Sequence, residues 1–312
     1  MSKAKLAVAL SALVATVVWA VPVIGTAHRL LRSGEIASFN PVSSVQPISL
    51  RDDEEHGLLA KGWVNGAGPF VFAIDTGAGA SIISQRVAAE ARLQVTKART
   101  PLVGGLSTSP ISSDQEARID GLALGKPGNR VPGRVIAAVV PNLPRAIDGI
   151  LDPTEAFSPF GYSLDLPQRE LRVFDPSVNG LNVNQQPRDG AVVRWVRAAG
   201  SHRPFVKLGD GRLALVDTGS SLGLALSDGR SSHRSETTRI RQDLGGGRVQ
   251  SRSIAPQTVN IGALVLNRVP TDMLSGVAPG TPIILGRRAL FPFRITFDPF
   301  SRLIAFEPAE RN

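Results

Sequence analysis

Apolar residues along this chain fall in short runs that are bounded by glycine, proline or polar turns. Residues 70–74 (FVFAI) follow a turn predicted at 62–68, and residues 213–216 (LALV) follow a turn predicted at 209–211. Short apolar runs with glycine at their ends are typical of buried strands joined by tight turns. The pattern therefore predicts a mostly β protein.

Helical patterns are scarce by comparison. Ser84 is a suitable N-cap for a short helix over residues 85–93, in which Val87, Ala88 and Ala91 fall on one side. Elsewhere glycine, proline and β-branched residues recur too often for long helices. We therefore expect few helices, all of them short.

The two halves of the chain repeat one plan. Each of the two apolar runs ends in the tripeptide Asp-Thr-Gly, at residues 75–77 and again at residues 217–219. Later matching segments are 150–152 with 284–286, 164–165 with 297–298, and 171–176 with 303–308. A constant order with slightly different spacings indicates a duplicated unit whose loops changed in length.

The repeat sets the predicted domain boundaries. We expect one lobe at residues 49–176 and a similar second lobe at residues 189–312. The stretch at 177–188 is rich in Asn, Gln and Pro, and it is predicted to link them. A further linker is predicted at residues 28–48, where a first edge strand is the alternative.

The two tripeptides resemble the active-site loops of the aspartic proteases, the pepsin and retropepsin group. The loops read Asp-Thr-Gly-Ala at 75–78 and Asp-Thr-Gly-Ser-Ser at 217–221, and Ile-Leu-Gly at 284–286 resembles the family's hydrophobic-hydrophobic-Gly segment. The resemblance covers nearly all of residues 50–308. It implies two similar β lobes in tandem with an active-site cleft between them.

In this family, two facing carboxylates share one proton and activate a water that attacks the peptide bond. The resemblance implies that Asp75 and Asp217 are this catalytic pair in an endopeptidase that needs no cofactor and no metal. Supporting roles are implied for the neighbouring loop residues, which are Thr76, Gly77, Thr218, Gly219 and Ser220. By resemblance, the two threonine hydroxyls cross-bond beneath the pair, and glycine permits the close approach of the loops.

Two glycine-rich segments are candidate flaps that close over a substrate. These are Gly104 and Gly105 in the first lobe, and Gly245, Gly246 and Gly247 in the second. A flap would exclude water and offer main-chain groups to an extended peptide. The alternative, that these are ordinary mobile loops, stays open.

Two departures from the family pattern bear on the catalytic pair. Asp152 stands where the second half has Gly286, and its carboxylate either faces solvent or perturbs the pair. Ser220 follows the second tripeptide, whereas Ala78 follows the first. A serine hydroxyl can hydrogen-bond an ionised carboxylate and lower its pKa, but alanine cannot.

Composition narrows the chemistry. The chain has 312 residues, no cysteine and 4 histidines, which excludes disulfides, thiol nucleophiles and thiolate metal sites. The net charge of +9 comes from scattered arginines without stacked aromatic residues, so no nucleic-acid partner is expected. The acidic run at 52–55 is expected to face water.

Rival functions are an inactive relative that binds peptides or glycans, and a serine hydrolase based on the G-x-S-x-G match at 219–223. A serine hydrolase would need an acid and then a histidine on separate elements after the serine, and the sequence leaves no room for them in that order. The preferred partner is an extended peptide or protein substrate, and the chain is expected to be a monomer. The arginines between residues 230 and 252 favour anionic substrates if they face the cleft. The alternative is that they form a solvated surface.

The N-terminus carries a targeting signal. Lys3 and Lys5 precede an apolar stretch at residues 6–25, and small residues follow up to Ala27. This pattern predicts a secretory signal at residues 1–27, and hence export to the periplasm or the medium. The apolar stretch is also long enough to anchor the chain in a membrane if it is not cleaved.

Overall fold

Short strands joined by turns make up most of this computed structural model, which describes residues 45–108, 111–197, 201–227, 239–242 and 247–309. All of these residues belong to one compact unit. The first-half strands are β1 (Ile48–Ser49), β2 (Arg51–Asp53), β3 (Gly57–Val64), β4 (Ala67–Ile74), β5 (Ser81–Ser84), β6 (Val95–Gly104), β7 (Ile111–Ile119), β8 (Leu122–Leu124), β9 (Val135–Val140), β10 (Gly149–Leu151), β11 (Gly161–Asp165) and β12 (Glu170–Phe174).

The second half contributes the remaining strands. They are β13 (Ala191–Arg194), β14 (Phe205–Lys207), β15 (Leu213–Asp217), β16 (Leu224–Ser227), β17 (Arg239–Gln242), β18 (Arg248–Ile261), β19 (Leu264–Ser275), β20 (Ile283–Gly286), β21 (Phe293–Asp298) and β22 (Leu303–Pro308). The helices of the described residues are α1 (Gln85–Glu90), α2 (Pro153–Ala156), α3 (Pro176–Asn179) and α4 (Arg287–Leu290). The predicted mostly β fold with few short helices is confirmed.

Two sheets repeat the same strand order. The first runs β2-β3-β4-β10-β5-β9-β7-β6, with β8 added at β3, and the second runs β14-β15-β20-β16-β19-β18-β17. In both, the strand that leads into Asp-Thr-Gly pairs in parallel with the Ile-Leu strand, β4 with β10 and β15 with β20. The matching order follows the sequence repeat, because equivalent apolar runs form equivalent strands.

A third sheet draws strands from both halves. Its order is β1-β12-β11-β21-β22-β13, and the halves meet where β11 pairs antiparallel with β21. Because this sheet is shared, a division into separate lobes at 49–176 and 189–312 stays a prediction. Ile48, at the end of the predicted linker 28–48, already pairs with Leu171 as an edge strand.

Aromatic side chains fill the space beneath the shared sheet. Tyr162 and Phe297 are fully buried and stacked, with ring centroids 4.8 Å apart, and the Trp195 ring stands edge-on to Phe297 at 6.1 Å. The Tyr162 hydroxyl lies 2.9 Å from the hydroxyl of Thr154 in α2. The aromatic core therefore reaches the helix that directly follows β10.

The helix predicted at 85–93 is shorter than expected. Ser84 is its N-cap and accepts a hydrogen bond from the Val87 N–H, but the helix ends at Glu90. Arg92, two residues later, has φ of 51°, a left-handed conformation that stops the helical repeat.

No helix within the described residues is long and apolar enough to cross a bilayer. The signal or anchor predicted at 1–27 lies outside those residues.

Candidate active site

Asp75 and Asp217 lie at equivalent positions in the two halves. Asp75 directly follows β4, and Asp217 is the last residue of β15. Each aspartate is 8% exposed, and the carboxyl group of each lies against the glycine of the other loop, so that the two groups face each other. The fold thus brings together two carboxyl groups that are distant in sequence.

Glycine is required next to each aspartate. A Cβ atom at Gly77 would lie 2.6 Å from the Asp217 Cγ, and a Cβ at Gly219 would lie 2.4 Å from the Asp75 Cγ. Both distances are far shorter than carbon atoms can approach without bonding. Each loop therefore leaves room for the carboxyl group of the other.

The two threonines cross-bond below the carboxyl groups. The Thr76 Oγ1 donates to the Val216 carbonyl at 2.7 Å and accepts from the Thr218 N–H at 3.0 Å. In the mirrored arrangement, the Thr218 Oγ1 donates to the Ile74 carbonyl at 3.2 Å and accepts from the Thr76 N–H at 3.2 Å. Both threonines are fully buried, so these bonds fix the distance between the loops without competition from water.

Main-chain N–H groups hold the carboxyl groups in place. The Gly77 N–H donates to Asp75 Oδ1 at 2.7 Å, and the Ser220 N–H donates to Asp217 Oδ1 at 2.9 Å. These bonds favour the ionised form of each group.

The Ser220 hydroxyl differs from expectation. It accepts a hydrogen bond from the Leu222 N–H at 3.3 Å, whereas the contact from Ser220 to Asp217 comes from its main chain. The hydroxyl therefore does not make the expected bond to Asp217. The Ser220 N–H makes a bond to that carboxyl group instead, and it does not depend on the serine side chain.

Burial raises the pKa of Asp75 well above its ordinary value, and the charge of Asp217 raises it further. Burial also raises the pKa of Asp217, although the N–H of Ser220 and the bond from Asp75 oppose this effect. Two buried carboxyl groups in contact cannot both ionise easily, so the pair holds a proton over a wide pH range.

Asp152 does not face solvent; it is fully buried. It caps α2 by accepting the Thr154 N–H at 2.9 Å, and its other oxygen lies 2.8 Å from the Nε2 of His202. The bond to Asp152 raises the pKa of His202. Of the two alternatives left by the sequence, solvent exposure is wrong and an electrostatic effect on Asp75 is supported.

A cleft of about 520 Å³ opens above the two aspartates. Its walls come from both halves and include the first candidate flap residues Gly104 and Gly105 at the end of β6. Leu106 and Ile111 add apolar surface on the same side. The cleft can therefore admit a segment of chain to the carboxyl groups.

The first candidate flap reaches the second half of the chain. The Ala278 N–H donates to the Leu106 carbonyl at 2.9 Å, and the Thr108 N–H donates to the Gly276 carbonyl at 3.3 Å. These bonds join the β6–β7 turn to the loop after β19. Of the second candidate flap, Gly247 directly precedes β18, and Gly245 and Gly246 lie outside the described residues.

Cationic side chains line the cleft. Arg203 extends past Gly79 and donates from Nε to the Ser201 Oγ at 3.2 Å, while Arg241 donates from Nε to the Ser251 Oγ at 3.0 Å. Within the described residues, neither guanidinium has a carboxylate within 4.0 Å. Both are therefore available to an anionic ligand.

Sequence reasoning missed the contribution of His202 and Arg203 to the cleft. No motif spacing marks them, because they reach the site through the loop before β14. Among the described residues, no group of three histidine, aspartate or glutamate side chains could hold a metal ion.

Residues 60–151 match the family model of the aspartyl proteases. The matched segment extends from β3 to the end of β10 and contains the first Asp-Thr-Gly loop. The match supports the resemblance to the aspartic proteases for this segment, and it does not extend to the second Asp-Thr-Gly loop. A search of curated proteins found no match to the chain.

Thr76→Val should destabilise the fold by about 1–3 kcal/mol, because it leaves the buried Thr218 N–H without an acceptor. Thr76→Ser keeps the hydroxyl and should lose only about 1 kcal/mol from the missing methyl group. Urea unfolding measures both. Equal midpoints for the valine variant and the wild type would contradict the role of the crossed bonds.

Asp75→Asn should make the protein more stable than the wild type at neutral pH. The raised pKa values mean that the folded state binds protons more tightly than the unfolded state. The stability from these groups is therefore complete below the ordinary pKa of 3.8 and is lost as the pH rises through the folded values.

The free energy of unfolding at pH 4 and pH 7 tests this, with Asp210→Asn as an exposed control that should bring no gain. A smaller advantage of Asp75→Asn at pH 7 than at pH 4 would reverse the assigned direction.

Proposed function

We propose that the protein is an aspartic endopeptidase that hydrolyses peptide bonds with a water activated by Asp75 and Asp217. One observation carries the proposal: two buried carboxyl groups from equivalent loops face each other at the floor of an open cleft. The aspartyl protease match over residues 60–151 supports the same activity. No cofactor enters the proposed reaction.

The reaction follows from one shared proton. The ionised carboxylate takes a proton from water, whose oxygen bonds to the peptide carbon, while the other carboxyl group gives its proton to the carbonyl oxygen. The resulting diol collapses when a proton passes to the nitrogen and the C–N bond breaks. The products are a carboxylic acid and an amine, and the pair regains a single proton.

The cleft geometry suits an extended peptide. Gly104 and Gly105 of the β6–β7 turn line the cleft, and an extended peptide placed beside this turn would run alongside a strand end. Threonine cross-bonding holds the carboxyl groups still, so little reorganisation is needed when charge develops.

A binding protein without catalysis is the alternative, since the same cleft could hold a peptide or glycan. The serine hydrolase interpretation gains no support, because Ser221, the central serine of the G-x-S-x-G match, contacts Arg241 at 3.5 Å rather than an imidazole.

The remaining proposals rest on sequence. Residues 1–27 direct export to the periplasm or the medium, or residues 6–25 retain the protein at the membrane as an anchor. The chain acts as a monomer and has no nucleic-acid partner.

Asp75→Asn and Asp217→Asn should each reduce cleavage of an unstructured protein by about 10³-fold, since each removes one of the two proton-transfer groups. Purified residues 28–312 would be assayed from acid to neutral pH, with cleavage favoured on the acid side. Asp210→Asn, an exposed substitution of the same kind, should cleave as the wild type does. Cleavage that survives both active-site substitutions would refute the proposal. Absence of cleavage by the wild type and by both variants would favour the binding protein.

Peptides with glutamate beside the scissile bond should be cleaved faster than glutamine analogues, by about 10-fold, because Arg203 and Arg241 can pair with the carboxylate. Arg203→Gln and Arg241→Gln should reduce this preference, whereas Arg118→Gln, an exposed residue outside the cleft, should not. An unchanged Glu/Gln ratio in both cleft variants would exclude arginine as its source.

A further inference from the structure

A buried ion pair lies beside Asp75 and joins the two halves. Parallel pairing of β10 with β4 aligns Leu151 with Ile74, so that the following residues, Asp152 and Asp75, are neighbours. The Asp152 carboxyl group is fully buried, and its partner His202 comes from the other half and lines the cleft. A negative charge therefore lies next to one member of the aspartate pair.

In the second half, the position equivalent to Asp152 is a glycine, and the residue after it carries a positive charge. β20 aligns Gly286 with Asp217, and the next residue is Arg287, whose side chain is 8% exposed. Arg287 pairs with Asp52 from the first half and donates to the Asp53 carbonyl at 3.0 Å. Burial lowers the pKa of Arg287, and the charges of Asp52, Asp217 and Asp75 oppose this effect.

Gly286 also explains why this position has no carboxylate of its own. A Cβ atom there would lie 2.5 Å from the Leu222 carbonyl oxygen and 2.9 Å from that of Ser220. A side chain is therefore excluded beside Asp217, although one is accommodated beside Asp75.

The main-chain donors do not separate the two aspartates, because both carboxyl groups accept such a bond, Asp75 from Gly77 at 2.7 Å and Asp217 from Ser220 at 2.9 Å. The nearby charges do separate them. Burial raises the pKa of both groups, the charge of Asp152 raises that of Asp75 further, and the charge of Arg203 lowers that of Asp217. These charges favour a negative charge on Asp217 and a proton on Asp75.

We propose that the charges of the Asp152–His202 and Asp52–Arg287 pairs fix the shared proton on Asp75. Asp75 then gives its proton to the substrate carbonyl, and Asp217 takes the proton from water. The proposal rests on the proposed peptidase function for these chemical roles, but the position of the proton is a property of the resting protein. Asp152 and Arg287 are thus positioning residues that act through the catalytic pair.

The Asp152–His202 pair also gives the site a dependence on pH. At acid pH, protonated His202 balances the charge of Asp152. As the pH rises and His202 loses its proton, the charge of Asp152 is no longer balanced and holds the proton on Asp75 more firmly. The other charged or titratable groups that face this pair are Glu155, Tyr162 and Arg197.

The first test locates the proton without turnover. Carboxyl ¹³C shifts of aspartate-labelled protein are followed against pH, with the signals assigned from Asp75→Asn and Asp217→Asn. Between the two titration steps of the pair, the Asp75 carboxyl group should show the shift of the protonated form and Asp217 that of the ionised form. The reverse distribution would overturn the proposal.

The second test removes the charge next to Asp75. Asp152→Asn keeps a good N-cap for α2, and the last proton of the pair should be lost about one pH unit lower than in the wild type. The alkaline limb of the kcat profile should move down by the same amount, and the imidazole of His202 should titrate at lower pH.

Asp165→Asn is the matched control, because Asp165 is also buried and ion-paired but binds Arg294 in the shared sheet. It should leave the titration of the pair in place. If the titration of the catalytic pair shifted equally in the Asp152 and Asp165 variants, the role of Asp152 would be only structural and the proposal would be refuted. A wild type without cleavage would overturn the proposed function alone, since the carboxyl shifts still locate the proton.

Discussion

Two carboxyl groups buried in contact are stable only when a proton lies between them, and much of this structure serves that constraint. Gly77 and Gly219 leave the space that the opposite carboxyl group fills, and crossed bonds from Thr76 and Thr218 set the distance between the loops. The shared sheet and its aromatic core lie beneath and bind both halves to one frame. If the two halves of the chain moved freely, the Asp75 and Asp217 carboxyl groups would not stay facing each other.

The repeat gives the site its symmetry, and the departures from the repeat make it unequal. Equivalent strands place equivalent aspartates, but the residue that follows the paired strand at Asp75 is Asp152, whereas Asp217 is paired with Gly286 and the buried Arg287 comes next. Both of these side chains find their partners in the opposite half, so the ion pairs belong to the interface that forms the cleft. A buried ion pair adds little net stability, because the cost of removing both charges from water offsets their attraction, so a role in tuning the site explains these pairs better than a role in stability.

The cleft itself depends on contacts that no motif indicates. The β6–β7 turn is joined to the loop after β19 by main-chain hydrogen bonds, which carry no side-chain signature in the sequence. His202 and Arg203 enter the cleft from the loop before β14, in a region without a recognisable pattern. The acidic run at 52–55 faces water as the sequence predicts, but no motif indicates that Asp52 also pairs with the buried Arg287.

The sequence by itself determined the β fold, the repeat and the two aspartates with their threonine and glycine neighbours. These features could be predicted because strand patterns and the Asp-Thr-Gly loops depend on residues that are adjacent in the chain. Only the tertiary structure decided that Asp152 is buried, that Ser220 acts through its main chain, and that the buried Arg287 pairs with Asp52. The burial of these side chains and the charges around them depend on which distant segments pack together, and a local amino-acid pattern does not specify that packing.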